Sequence, residues 1–180
     1  MKSKRLLIVS LILAVVVCAG ATLAWLATSS NSVVNGFTVG AVKVTLSETT
    51  GGSYQIIPGV SHAKDPTITV KANSESCWLF VKLNKTDNPD TYLTYGIEDG
   101  WQPLSSESDV YYREVAKSDT DQSFTVLKNN EITVKATLTE EMINGIGTAP
   151  RLEFTAFAIQ KESISSALDG WTSIKTAMEE

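Results

Sequence analysis

Short runs of alternating apolar and polar residues, each closed by a turn signal, recur from Phe37 to Gln160 with no long helical segment between them. This spacing limits the fold more than any other feature. A parallel sheet needs a crossover of a dozen or more residues, usually a helix, between neighbouring strands. "GFTVGAVKVTL" alternates first as Phe37, Val39 and Ala41, then as Val42, Val44 and Leu46. The change of phase at Gly40-Ala41 predicts a bulge or bend. "TITVKA" puts Ile68 and Val70 on one face, and "CWLFVKL" is apolar on both faces, as a central strand should be. "TYLTYGI", "DVYYREV", "SFTVL", "EITVKATL" and "RLEFTAFAIQ" complete a set of about eight predicted strands.

Turns are expected at Gly51-Gly52-Ser53, Pro58-Gly59, Asp65-Pro66, Asn88-Pro89-Asp90, Asp99-Gly100 and Asn129-Asn130. The expected fold is all-β: two packed antiparallel sheets over 37–180 with short peripheral helices. "TLTEEMINGIG" predicts a helix starting near Thr139, with Glu140 and Glu141 in its first turn. In the C-terminal "SISSALDGWTSIKTAMEE", Ile164, Leu168, Trp171, Ile174 and Met178 form one apolar stripe. That helix is expected to close one end of the sandwich, with docking of a partner as its competing role. Gly170 weakens it by ~1 kcal/mol relative to alanine.

The N-terminus has a different character. Lys2, Lys4 and Arg5 precede an apolar run from Leu6 to Val17, and small residues follow. This is the order of a secretory signal, and it predicts a signal helix over 1–24. Thr22 and Ala24 place small residues at the third and first positions before Trp25, so cleavage is expected after Ala24. An uncleaved anchor is the competing reading, because Leu6 to Ala27 is about long enough for a bilayer core of ~30 Å. Lipidation at Cys18 fits less well, since Val17 is not small.

The whole chain holds 15 basic and 20 acidic residues, net −5. Losing residues 1–24 removes three basic side chains, which leaves 12 against 20, or −8. That balance argues against nucleic acid and against an anionic membrane surface as partners. It suits a chain that is soluble outside the cell and meets the membrane only before cleavage. Cys77 would be the single cysteine left, so no internal disulfide is possible, and a small buried apolar role is expected for it.

Catalytic patterns are missing from the sequence. His62 is the only histidine, and neither HExxH, G-x-S-x-G nor a phosphate-cradling glycine loop occurs. His62 is expected to be a solvated loop residue. "SDTDQS" carries Asp119 and Asp121 without the glycine and terminal glutamate of a calcium-binding EF-hand loop, and is expected to be a solvated loop. Adjacent Tyr111 and Tyr112 should point to opposite faces of a strand. No catalytic residue, metal ligand or cofactor is assigned, and the chain is not read as an enzyme.

Several blocks together resemble the TasA/camelysin family of SipW-dependent secreted proteins of Firmicutes. The first is "GATLAWLATSSNSVVNGFTVGAVKVTLSE": Gly20, Thr22 and Ala24, an aromatic, then Thr28 and Ser30, then the strand from Phe37 to Leu46. The second is Pro58-Gly59 followed by Lys64-Asp65-Pro66 leading into a strand. The third is "LEFTAFAIQ" followed by a helical segment with Trp171. Residues 98–130 match poorly. The resemblance implies a SipW-like signal peptidase acting after Ala24, a jelly-roll sandwich, and a place in biofilm-matrix fibres. It also implies joining of subunits by donor-strand exchange with copies of the chain or related matrix subunits. Camelysin carries a metallopeptidase label, but this chain has no recognisable zinc-peptidase pattern.

Physical reasoning points the same way. Residues 25–36 would form a new N-terminal segment, uncharged and rich in Ser, Asn and Val, of the kind that pairs with an open sheet edge. Trp25, Val33 and Val34 are its candidate assembly residues, and one of the two valines is expected to enter a neighbour's core. A monomeric adhesin or carbohydrate-binding module and a secreted hydrolase are the competing functions.

Overall fold

The computed structural model describes residues 36–39, 41–50 and 54–179. Two compact units divide the chain, Met1–Asn31 with Gly51–Gln55 and Ser32–Thr50 with Ile56–Glu180, and every element below belongs to the second. Its strands are β1 (Gly36–Val39), β2 (Val44–Ser47), β3 (Ser61–Ala63), β4 (Thr67–Val70) and β5 (Cys77–Thr86). A single helical turn, α1 (Pro89–Tyr92), leads to β6 (Leu93–Thr94), β7 (Gln102–Pro103), β8 (Val110–Val115), β9 (Gln122–Thr125) and β10 (Glu131–Val134). The short helix α2 (Glu140–Asn144), the long strand β11 (Arg151–Gln160) and the C-terminal helix α3 (Ala167–Glu179) complete the unit.

The strands form three sheets, in the orders β1-β11-β5-β8-β7, β2-β4-β9 and β3-β10-β6. The architecture is all-β and mostly antiparallel, consistent with a sandwich. Among the described residues the one parallel ladder joins β1 to β11, with Gly36 opposite Ala156 and Val39 opposite Ile159. β5 and β11 pair along their whole lengths, from Cys77 opposite Gln160 to Thr86 opposite Arg151.

The centre of the five-stranded sheet is buried on both faces, at Leu79–Val81 of β5 and Ala156–Ile159 of β11, which is why β5 opens as a continuous apolar run. Leu79, Val81, Leu83, Phe154, Ala156 and Ala158 lie on the inner face and are buried. Two contacts show that this face meets the smaller sheets. The Arg113 guanidinium on β8, level with Leu79, lies over the Phe124 ring of β9, and Lys64 Nζ lies 5.4 Å from the centroid of the Phe154 ring of β11. On the outer face, Phe80 and Phe157 pack against Trp171 of α3 at centroid separations of 5.4 and 5.3 Å. Full burial of each such side chain is worth roughly 1.5–3 kcal/mol.

The phase change at Gly40-Ala41 marks a change of sheet: β1 lies in the five-stranded sheet and β2 in the β2-β4-β9 sheet. The turn residues behave as expected, with positive φ at Gly59, Gly100, Asn129 and Asn130. Thr139 caps α2 by accepting a hydrogen bond from the Met142 N–H.

Several expectations are corrected. Among the described residues, eleven strands in three sheets stand where about eight in two were expected. "TYLTYGI" is a strand only at Leu93–Thr94, because Asn88 in the left-handed region and Pro89 at the first helical position start α1 instead. "EITVKATL" leaves its strand after Val134. α3 lies on the face of the five-stranded sheet instead of closing an end. Its buried stripe is Ala167, Gly170, Trp171 and Ile174, whereas Leu168 and Met178 are exposed and Ile164 precedes the helix.

Candidate functional site

The sequence-predicted site residues Thr22, Ala24, Trp25, Val33 and Val34 lie outside the described residues. The structure describes instead the edge to which their segment leads. β1 begins at Gly36, one residue before the expected boundary at Phe37, and forms one edge of the five-stranded sheet. It covers only Ala156–Ile159 of the ten-residue β11. Among the described residues, Arg151–Thr155 has no strand on that side. Extended backbone of this kind offers unpaired N–H and C=O groups to an incoming strand.

A polar clamp lies at the end of β2. Lys64 Nζ meets Glu48 Oε1 at 2.8 Å, with both side chains about 10% exposed. The next residue, Asp65, accepts hydrogen bonds from the Thr49 and Thr50 N–H groups at 2.9 and 2.8 Å, and from both threonine hydroxyls. Burial pushes the Asp65 carboxyl up, but these four donors outweigh it and hold the group far below the usual carboxylate range. Lys64-Asp65-Pro66 thus fastens the chain after β2 to the start of β4. Sequence reasoning singled out this tripeptide only by resemblance, since nothing local reveals that its partners stand 15–16 positions earlier.

A third arrangement centres on Arg113. Its guanidinium carbon sits 3.9 Å from the Phe124 ring centroid and 5.4 Å from that of Trp101. The Trp101 indole N–H donates to the Thr125 carbonyl at 2.8 Å, which fixes that ring. Arg113 Nε is sealed from solvent with no hydrogen-bond partner.

Other candidates are absorbed into the fold. Cys77 is fully buried at the start of β5, and burial pushes its thiol up to about 12, so it is not a reactive thiolate. His62 is not in a loop: it sits in β3 opposite Ile132 and is partly buried, because "SHA" pairs with β10. Asp121 receives Lys71 Nζ at 2.9 Å and the Ala72 N–H at 2.8 Å, so it ties two loops together, while Asp119 stays exposed. Tyr112 packs near Trp78 and Phe80 and donates its hydroxyl hydrogen to Gln102, whereas Tyr111 stands level with Val81 on the opposite face. Among the described residues no group of three or more His, Cys, Asp or Glu side chains could hold a metal ion, and no helix is long and apolar enough to cross a membrane. No family model matches the chain, and no curated protein matches it.

Proposed function

We propose that this chain is a secreted structural subunit of an extracellular fibre, in which the N-terminal segment of one copy pairs with the sheet of the next. The half-covered edge of β11 carries the reading. Among the described residues β1 occupies only Ala156–Ile159, which leaves Arg151–Thr155 for an incoming strand. On that stretch Phe154 is buried on the inner face and Glu153 is exposed, so one of Val33 and Val34 enters the core in this reading while the other stays outside.

The resemblance to the TasA/camelysin family supports the same reading. Removal of residues 1–24 after Ala24 by a SipW-like peptidase, location outside the cell, and a jelly-roll strand order belong to this proposal. Removing the signal frees the joining segment only after export, which couples secretion to assembly. Electron microscopy of protein beginning at Trp25 tests it. Fibres whose abundance rises with concentration are expected, and a chain that stays monomeric at every concentration overturns the reading.

A further inference from the structure

We infer that Arg113 forms the base of an anion site that takes a carboxylate, at the place where β8, β9 and the Asp99-Gly100 turn meet. The proposal is independent of fibre assembly. All eight ion pairs among the described residues use lysine; of the two described arginines, neither of which is in a pair, Arg151 is exposed and Arg113 is part-buried. An arginine without a carboxylate partner is conspicuous in a chain with 20 acidic residues. The guanidinium is also positioned rather than free. Phe124 lies beneath it and Trp101 beside it, at distances where an aromatic face attracts a cation. On a third side the backbone approaches closely. A Cβ at Gly100 would stand 3.2 Å from Nη2 and 3.6 Å from Cζ, and Gly100 has φ +89, a conformation that side chains rarely adopt.

This surrounding shell removes water without supplying a counter-charge. Nε is sealed and unpartnered, and burial lowers the affinity of the group for its proton. The guanidinium nonetheless stays charged in proteins. Arg113 as a whole is only part-buried, and the fork of Nη1 and Nη2 is the part that meets the ligand in this proposal. Two parallel N–H donors in a plane match a carboxylate, and the rings hold the fork in orientation before the ligand arrives. Lysine would supply the charge without the fork.

The test is titration of the 15N-labelled full chain, read at the Arg113 Nε–H and Trp101 indole resonances. Acetate and glucuronate, each raised to about 50 mM at constant ionic strength, are the probes, with chloride and inorganic phosphate as controls. Both resonances are expected to shift in saturable fashion with acetate and not with chloride. Glucuronate binding about tenfold tighter than acetate identifies a sugar acid as the source, and equal binding identifies small carboxylates in general. Arg113→Lys is expected to abolish the Trp101 shift while leaving the remaining amide spectrum in place. Should that variant fail to fold, the wild-type titration alone decides. Shifts no larger than those with chloride, phosphate shifts equal to those with acetate, or an unchanged Trp101 shift in Arg113→Lys overturn the assignment.

Discussion

Lys64 Nζ lies 2.8 Å from Glu48 Oε1, and water reaches little of either side chain. Burying such a pair gains little over apolar residues, but removing one partner strands the other charge. Glu48→Ala is therefore expected to destabilise the fold by about 3–5 kcal/mol, and Glu48→Leu combined with Lys64→Met by much less. Urea unfolding of Glu48→Leu, Lys64→Met and the double variant measures the coupling. Strictly additive losses would show that the charges do not act as a pair.

Asp65 makes acid stability a second readout. Its folded-state pKa is depressed, so its contribution is present above the unfolded value of about 3.9 and is lost as pH falls below that towards the folded value. Asp65→Ala is expected to cost roughly 1–2 kcal/mol at neutral pH, a figure discounted for the solvent that reaches the carboxylate. The gap between wild type and variant should narrow as pH drops below about 4. A gap constant from pH 7 to pH 3 would mean that the ionised carboxylate is not what holds Thr49 and Thr50.

Gly170 tests the seat of α3. A Cβ there would stand 3.1 Å from Ile159 Cγ2 and 3.4 Å from Phe80 Cζ. Helix propensity favours Gly170→Ala by ~1 kcal/mol, while overpacking a buried contact costs about 1–3 kcal/mol. The expected result is no gain in stability, or a net loss of up to about 2 kcal/mol. Clear stabilisation by thermal unfolding would place the helix farther from the sheet. For comparison, Leu79→Ala or Phe80→Ala should each cost about 2–5 kcal/mol, since both side chains are fully buried on opposite faces of β5.

These residues also show what the sequence could and could not disclose. β5 was legible because a strand covered on both faces must be apolar at every position, and Cys77 to Val81 is. The positive-φ turns were legible because Gly and Asn are the residues that adopt them at least cost. The face of α3 was misread because a buried glycine carries no apolar signal, so the stripe was drawn through Leu168 instead of Gly170. The parallel seating of β1 was not legible: alternation marks a strand but not its neighbour, and β11 lies about 120 positions away. The Asp65 clamp and the unpaired Arg113 were hidden for the same reason, since each depends on partners brought together by the fold. The proposed joining residues Trp25, Val33 and Val34 rest on the family resemblance and on the uncharged, valine-bearing segment that cleavage would leave.

Fibre formation by protein beginning at Trp25 is the most direct measurement of the central claim. Wild type should be compared with Val34→Asp, Val33→Asp, the double variant and a chain beginning at Phe37, by electron microscopy and sedimentation on the same samples. The account predicts fibres from wild type and from one of the two single variants, the one whose side chain stays outside the neighbour's core. It predicts soluble, folded monomers from the other single variant, the double variant and the shortened chain, because a carboxylate in the core beside Phe154 costs several kcal/mol unless it reaches water. Equal fibres from all five, or a wild type that stays monomeric at high concentration, would contradict the account.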